Sequence, residues 1–124
     1  MELRFIPVWF DSMGSKCSSI YVETDDVRIL VDPGLSGLQP GFPIPPSWKA
    51  GYNTLGYAMI EKFASQADVV IITHYHYDHL EIPGSSLLDT GKVYPNKLIL
   101  IKDPNQYINI SQFERARIFF ASLV

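Results

Sequence analysis

A short apolar run that ends in a cluster of histidines is the feature that most constrains the fold of this 124-residue chain. Residues 68–73 read DVVIIT, and residues 74–79, HYHYDH, contain all three histidines of the sequence. A continuous apolar run of this length is typical of a β-strand that is buried on both faces. Polar residues that follow such a strand lie at the edge of the sheet, where functional loops are commonly placed on a packed frame. The sequence therefore predicts a sheet with a candidate site where this strand ends.

The segments before this strand predict further strands. Aromatic and β-branched residues favour strands over 2–10, 17–24 and 27–32, with Pro7 restricting the first to a sheet edge or a bulge. The short link at residues 25–26 predicts a hairpin between the second and third strands. Residues 35–51 carry four prolines between positions 40 and 46 and are expected to form an extended loop, either a lid or a plain crossover.

Two helices and one more strand complete the predicted order. The first helix is expected to begin at Asn53 or Thr54, and the residues that stack on its apolar face are Leu55, Met59, Phe63 and Ala67. KLILIK, 97–102, repeats the pattern of a buried strand. Ser111 and Glu114 have capping-box spacing, so a final helix is expected with an apolar stripe of Phe113, Ala116, Phe120 and Leu123. These elements predict a mixed sheet flanked by helices, an α/β or α+β fold.

Composition narrows the class of protein. The formal net charge of -3 and the pI near 5.5 disfavour a nucleic-acid backbone as the main partner and favour a small-molecule substrate. The single cysteine, Cys17, cannot form an internal disulfide, which indicates a reducing compartment. No stretch resembles a signal peptide or reaches the roughly 18 apolar residues of a membrane span. We therefore expect a cytoplasmic protein without a membrane partner.

The histidine cluster has the residue types and spacing of a metal site. His74 and His76 are two residues apart at a strand end, so both side chains point to the same side and could bind one ion. Asp78 and His79 lie where the chain begins to curl and could reach a second ion. Nitrogen and carboxylate ligands suit zinc, with iron or manganese as alternatives, and two ions about 3.5 to 4 Å apart can share one water-derived ligand. The alternative is a solvated His-rich turn. Tyr75 and Tyr77, which lie between the ligands, are expected to point to the other side and pack against the scaffold, with contact to a substrate as the alternative.

The motif resembles a known signature. HxHxDH after an apolar strand is similar to the metal motif of the metallo-β-lactamase superfamily, and VRILVDPG at 27–34 resembles its first motif, an Asp that ends a strand beneath the metal site. VETDDVRILVDPG, THYHYDH and NISQFERA together resemble an uncharacterised archaeal group of that superfamily. The resemblance implies half of a four-layer αββα sandwich.

Position by position, the resemblance implies roles for five residues. His74 and His76 would bind the first metal, and Asp78 and His79 the second. Asp78 could also act as the catalytic group that orients the attacking water or takes its proton. Asp32 would not bind an ion but would accept hydrogen bonds that hold the ligand loop. Without the resemblance, Asp32 could simply end a strand at DPG.

The chain departs from the superfamily in its later part. Members complete the site with a further His, a bridging Asp and a last His, whereas no histidine follows residue 79 here and the only later aspartates are Asp89 and Asp103. We therefore expect residues 1–124 to form the N-terminal part of one metallo-β-lactamase-like domain, truncated and completed by a second half. A homodimer of two such halves is an alternative, because the superfamily fold is pseudo-symmetric.

Three functions follow from these expectations. The first is a metal-dependent hydrolase of ester, amide, thioester or phosphoester bonds that is competent only when the second half is supplied. The second is a catalytically inactive metal-binding or interaction fragment. The third is a nucleic-acid phosphodiesterase, for which the chain offers ten Lys and Arg residues without a cluster.

Overall fold

The protein is described here by a computed structural model that covers residues 2–84 and 88–123. The elements are β1 (Arg4–Phe10), β2 (Ser18–Glu23), β3 (Arg28–Val31), α1 (Lys49–Gln66), β4 (Val69–Ile72), β5 (Leu98–Ile101) and α2 (Ile110–Ser122). The five strands form one sheet in the order β1-β2-β3-β4-β5. Strands β1 to β3 pair antiparallel, and β3, β4 and β5 pair parallel. The predicted mixed fold, consistent with half of an αββα sandwich, is confirmed.

The hairpin between β2 and β3 follows its turn chemistry. The N–H of Thr24 donates to the carbonyl of Val27 at 2.9 Å, which places Asp25 and Asp26 at the centre of the turn. The Thr24 hydroxyl accepts from the N–H groups of Asp26 and Val27, each at 3.2 Å. In β1 the register shifts between Pro7 and Trp9, as expected for a proline in an edge strand. The hairpin and the edge position of β1 were both predicted correctly.

Helix α1 begins earlier than predicted. A 3₁₀ turn at Pro46–Trp48 leads directly into the helix at Lys49, because proline residues preset the backbone φ for a helical start. The buried residues of α1 are Gly56, Ile60, Phe63 and Ala64. Leu55, expected in the core, remains 49% exposed. The apolar face is rotated because Trp9 packs over Gly56, where a Cβ would lie 3.0 Å from the indole ring.

The cap of α2 was also assigned wrongly from the sequence. Asn109 is the N-cap, and its side-chain oxygen accepts from the N–H of Gln112 at 2.9 Å. Ser111 therefore lies inside the helix, and its capping box with Glu114 is not formed. Gln112 is the third residue of the helix, and a hydrogen bond from its N–H to the side chain of Asn109 is the bond typical of an N-cap residue. The buried face of α2 also differs from the predicted stripe, since Phe119 lies in the core with Ala116 while Phe120 and Leu123 are 38% and 41% exposed.

The core lies between α1 and one face of the sheet. Tyr21, Leu30, Val70 and Ile72 are buried on that face, and the ring of Tyr21 lies 4.9 Å from that of Phe63 on α1. Since side chains alternate along a strand, this pattern fixes the register of β2, β3 and β4. The parallel neighbours β3 and β4 then end side by side, which brings their following residues together. Neither α1 nor α2 has the length and apolar character needed to cross a membrane.

The opposite face of the sheet is apolar but not buried. Ladder pairing aligns two rows of residues across all five strands. The first row is Phe5, Val22, Ile29, Val69 and Leu98, and the second is Pro7, Ile20, Val31, Ile71 and Leu100. Each of these residues is at least partly exposed to solvent. We call these two rows the open sheet face.

Candidate metal centre

The turn after β3 places Asp32 next to the end of β4. Asp32 adopts φ 51°, a left-handed conformation that is uncommon for a non-glycine residue, and its N–H donates to the carbonyl of Ile71 at 2.8 Å. Gly34 lies against the backbone of the histidine motif, since a Cβ there would approach the nitrogen of Leu80 to 2.4 Å and the carbonyl carbon of His79 to 2.5 Å. Residues 32–34 therefore form a close-packed base under the motif.

The buried Asp32 carboxylate accepts three hydrogen bonds. Its Oδ1 accepts from the N–H of Thr73 at 2.8 Å. Its Oδ2 accepts from the Thr73 hydroxyl at 2.7 Å and lies 3.0 Å from Nδ1 of His79. A carboxylate can only accept, so Nδ1 of His79 carries the proton and Nε2 has a free lone pair. Asp32 thus fixes the tautomer of His79 in the way that metal-ligating histidines are usually held.

Thr73 extends this arrangement to His74. Because the Thr73 hydroxyl donates to Asp32, it accepts from Nδ1 of His74, which lies 2.8 Å away. Nε2 of His74 is then also unprotonated. Burial, followed by the neighbouring His79, lowers the pKa of His74 from its usual value, which favours the neutral ring that a metal requires.

The remaining two predicted ligands lie beside this pair. The rings of His74 and His76 have centroids 4.8 Å apart and are nearly perpendicular, and the rings of His74 and His79 have centroids 4.1 Å apart. An Oδ2 of Asp78 lies 3.5 Å from Nε2 of His79. The N–H groups of His79 and Leu80 both donate to the carbonyl of His76, which forms the predicted curl of the chain.

One His and Asp group in the described residues has the compactness of a metal site. Single ligand atoms of Asp32, His74 and His79 all lie within 4.8 Å of one another. Both oxygens of Asp32 already accept protein hydrogen bonds, so its contacts fit a supporting carboxylate better than a direct ligand. The donor set of imidazole nitrogens and the nearby Asp78 carboxylate suits a zinc-like ion.

A cavity of about 380 Å³ opens beside Asp78 and His79. Its other lining residues are Asp11, Lys16, Cys17, Ser18, Gln39 and Pro40. The proline-rich loop therefore reaches this cavity through Gln39 and Pro40, while Trp48 is 63% exposed at the start of α1. The thiol of Cys17 is buried and donates to the carbonyl of Gly34 at 2.8 Å. Cys17 thus lines the cavity and also stabilises the turn at residues 32–34 through its bond to Gly34.

The two tyrosines of the motif behave differently from each other. Tyr75 is fully buried, as predicted, and its hydroxyl donates to the carbonyl of Lys102 at 2.6 Å. Tyr77 was expected to pack into the scaffold but is 42% exposed, with the guanidinium of Arg115 lying 4.4 Å from its ring centre. Two further residues, Thr73 and Gln112, contact His74 and His76 respectively and were not predicted as site residues. Thr73 could have been suspected from its position between the strand and the motif, whereas Gln112 carries no local signal.

Sequence comparisons with known proteins identify a family whose matched region contains the predicted site residues. A sequence model of the metallo-beta-lactamase superfamily matches residues 13–80, which include Asp32 and the whole histidine motif. The chain is 38% identical to a UPF0282 protein of Methanopyrus kandleri over 98% of this chain and 44% of that protein. It is 42% identical to a UPF0282 protein of Sulfolobus acidocaldarius and 37% identical to one of Korarchaeum cryptofilum, over 98% of this chain and 39% of each relative.

The chain spans about two fifths of the length of these curated relatives. No solved structure matches it. The family match covers more than half of the chain and ends at Leu80, directly after the motif. The chain belongs to the metallo-β-lactamase superfamily.

Proposed function

We propose that this chain forms the metal-binding edge of a metal-dependent hydrolase. The observation that carries the proposal is the bonding around Asp32, which leaves Nε2 of both His74 and His79 unprotonated on rings whose centroids are 4.1 Å apart. In a solvated His-rich turn we would not expect two histidines to be connected to one buried carboxylate. Here His79 contacts Asp32 directly, and His74 is connected to it through the Thr73 hydroxyl. The superfamily to which the chain belongs supports the same chemistry.

The ligands that we propose are the four residues of the motif. His74 and His76 hold one ion, Asp78 and His79 hold a second, and Asp32 orients His79 without binding an ion itself. Zinc fits this mixed nitrogen and oxygen set, and iron or manganese are the alternatives. A bound ion of this kind supplies a water of lowered pKa and polarises the bond to be cleaved.

The residues of the chain have separate tasks in the proposed reaction. The Asp78 carboxylate lines the cavity, where it accepts the proton of the attacking water and holds its orientation. The cavity holds the substrate, an ester, amide, thioester or phosphoester of small-molecule size. The acidic balance of the chain, -3 at neutral pH, supports a small molecule over nucleic acid. The single Cys17, buried and unpaired, is compatible with the cytoplasmic location that forms part of this proposal.

The open sheet face supports a second part of the proposal, which concerns domain organisation. Residues 1–124 form the N-terminal half of one domain, and the open sheet face packs against a second layer. The open sheet face consists of ten apolar residues in two continuous rows. Exposing this surface to water is unfavourable, so a second layer that covers it would stabilise the domain. The second half would also supply the ligands that close the site. A homodimer that pairs two open faces is the alternative arrangement.

The test compares the isolated chain with the same chain completed by the second half. We expect about two metal ions per completed protein, hydrolysis of at least one substrate in an ester, amide, thioester and phosphoester panel, and loss of activity on chelation. His79→Ala should abolish both metal retention and hydrolysis, and Asp103→Asn, at an exposed position outside the motif, serves as the control. Hydrolysis by the completed protein that resists both chelation and His79→Ala would contradict the proposal.

The incomplete ligand set favours one alternative function. The motif offers two ligands to each proposed ion, and metal affinity rises with ligand number and closure. A chain that acts alone would then be a metal-binding or interaction fragment without catalysis. Metal retention that depends on His79, together with no hydrolysis by the completed protein, would identify this case. Binding to nucleic acid with a steep salt dependence would instead indicate a phosphodiesterase.

A further inference from the structure

Helix α2 is attached to the ligand loop through one side-chain amide. Oε1 of Gln112 accepts from the N–H of Tyr75 at 3.1 Å, and Nε2 of Gln112 lies 3.3 Å from Nε2 of His76. Arg115, one turn further along the helix, lies over the ring of Tyr77. The first two turns of α2 therefore contact three successive residues of the loop, Tyr75, His76 and Tyr77.

The backbone of Tyr75 determines how the Gln112 amide is oriented. A backbone N–H needs an acceptor, and in Gln112 only the carbonyl oxygen can accept. The NH₂ group must then face His76, where it donates to Nε2. A ring nitrogen that accepts a hydrogen bond is unprotonated, so the proton of neutral His76 lies on Nδ1.

This arrangement conflicts with metal binding by His76. If an ion binds at Nδ1, the proton moves to Nε2 and faces the NH₂ group of Gln112, so that two donors oppose each other. In the observed orientation the oxygen of Gln112 faces the N–H of Tyr75, and rotating the amide so that the oxygen faces Nε2–H would turn the NH₂ group toward Tyr75 N–H. If an ion binds at Nε2, it displaces the donor of Gln112. In either case Gln112 loses one of its two bonds.

We propose that Gln112 is a positioning residue that sets the tautomer of His76 and couples metal binding at His76 to the attachment of α2. The inference rests on the proposed metal-binding role of His76. It assigns to α2 a function that the motif does not show: the helix resists metal uptake until the amide of Gln112 is released. A carboxylate at this position would remove the conflict, because it can accept from both Tyr75 N–H and His76 Nε2–H.

Nitrogen NMR of the metal-free chain tests the tautomer directly. In the presence of chelator at about pH 8, where histidine rings are neutral, we expect Nδ1–H for His76 in the wild type. Gln112→Glu should change it to Nε2–H, and Gln112→Ala should leave the tautomer unfixed. Ser111→Glu adds the same charge at the neighbouring exposed position and should keep the wild-type tautomer. An Nε2 proton on wild-type His76, or the same tautomer in the wild type and Gln112→Glu, would overturn the assignment.

Zinc titration of the same proteins tests the coupling. Gln112→Glu should bind zinc about tenfold more tightly than both the wild type and Ser111→Glu, in the range typical for residues that orient metal ligands. Equal affinities of Gln112→Glu and Ser111→Glu would overturn the coupling, since charge alone would explain the change. Absence of zinc binding in every protein would contradict both the proposed function and the coupling. The tautomer assignment would still be tested by the NMR experiment, which uses metal-free protein.

Discussion

The Asp32 carboxylate accepts from Nδ1 of His79 at 3.0 Å, and this single contact determines which nitrogen His79 can present to an ion. The two residues are separated by 47 positions in sequence. They meet because β3 and β4 pair in parallel and end side by side. The turn at Asp32 thus organises the candidate site although the proposed ligands all lie in another segment.

Replacing Asp32 with Asn should weaken metal binding. An amide cannot accept from Thr73 N–H, Thr73 Oγ1 and His79 Nδ1 together, so His79 loses its fixed tautomer. We expect zinc affinity to fall about 10- to 100-fold, as is typical for loss of a residue that supports a metal ligand. Calorimetric titration with zinc measures it. Asp26→Asn, which makes the same chemical change in the exposed β2–β3 turn, should keep wild-type affinity, and equal affinity of both variants would contradict this role.

Replacing Gly34 with Ala should destabilise the fold. Its Cβ would lie 2.4 Å from the backbone nitrogen of Leu80, so either the DPG turn or the motif must shift. Such overpacking typically costs about 1 to 3 kcal/mol in the free energy of unfolding. Urea unfolding followed by circular dichroism measures it. Gly37→Ala is the matched control, because a Cβ at Gly37 has no neighbour within 4 Å among the described residues. Equal midpoints for the two variants would show that Gly34 is not tightly packed.

The thiol of Cys17 should resist alkylation while the chain is folded. Burial, the main cause, raises the pKa of Cys17 from 9.0 to about 12, so the reactive thiolate is scarce at alkaline pH. The unfolded thiol ionises first as pH rises, so this group lowers the stability of the fold progressively between about 9 and about 12. Iodoacetamide labelling across this pH range, with and without urea, measures both effects. Labelling of the native chain as fast as the unfolded chain at pH 9.0 would contradict the assignment.

A charge on the open sheet face should affect the completed domain much more than the isolated chain. Leu100 is 49% exposed, and Leu100→Lys leaves the ammonium in water when no second layer is present. When the second half covers this face, the same substitution buries an unpaired charge, and we expect a loss of several kcal/mol. Thermal unfolding of both forms measures the difference. Lys substitution at Leu55, exposed on α1, is the control, and equal effects of Leu100→Lys in both forms would contradict the covered face.

Much of this fold could be predicted from local sequence patterns. The strand at residues 69–72 and the turn at Asp25 and Asp26 follow from hydrophobic runs and turn chemistry, which act over a few residues. The expected burial of this strand on both faces was wrong for the described residues, because Val69 and Ile71 lie on the open sheet face. The start of α1 at Lys49 was missed because the prolines before it were interpreted as loop formers, whereas here they initiate the helix.

The motif indicated the proposed ligands but not what surrounds them. The contact between Gln112 and His76 spans 36 positions and depends on how α2 docks, which no local pattern encodes. Tyr77 was expected to be buried because alternation along a strand was extended past the point where the chain curls. Residues that hold ligands in place are therefore visible only once strands and helices are assembled.

The central claim is that the four residues His74, His76, Asp78 and His79 bind metal. Zinc titration of the chain, followed through the nitrogen NMR signals of its three histidines, tests it most directly. We predict that the nitrogen signals of all three rings shift as zinc is added and stop shifting at the same ratio of zinc to protein. The shifts should identify Nε2 of His74 and of His79 as nitrogens that bind the ion. The claim would be contradicted if zinc left these signals unchanged, or if His79→Ala bound zinc as tightly as the wild type.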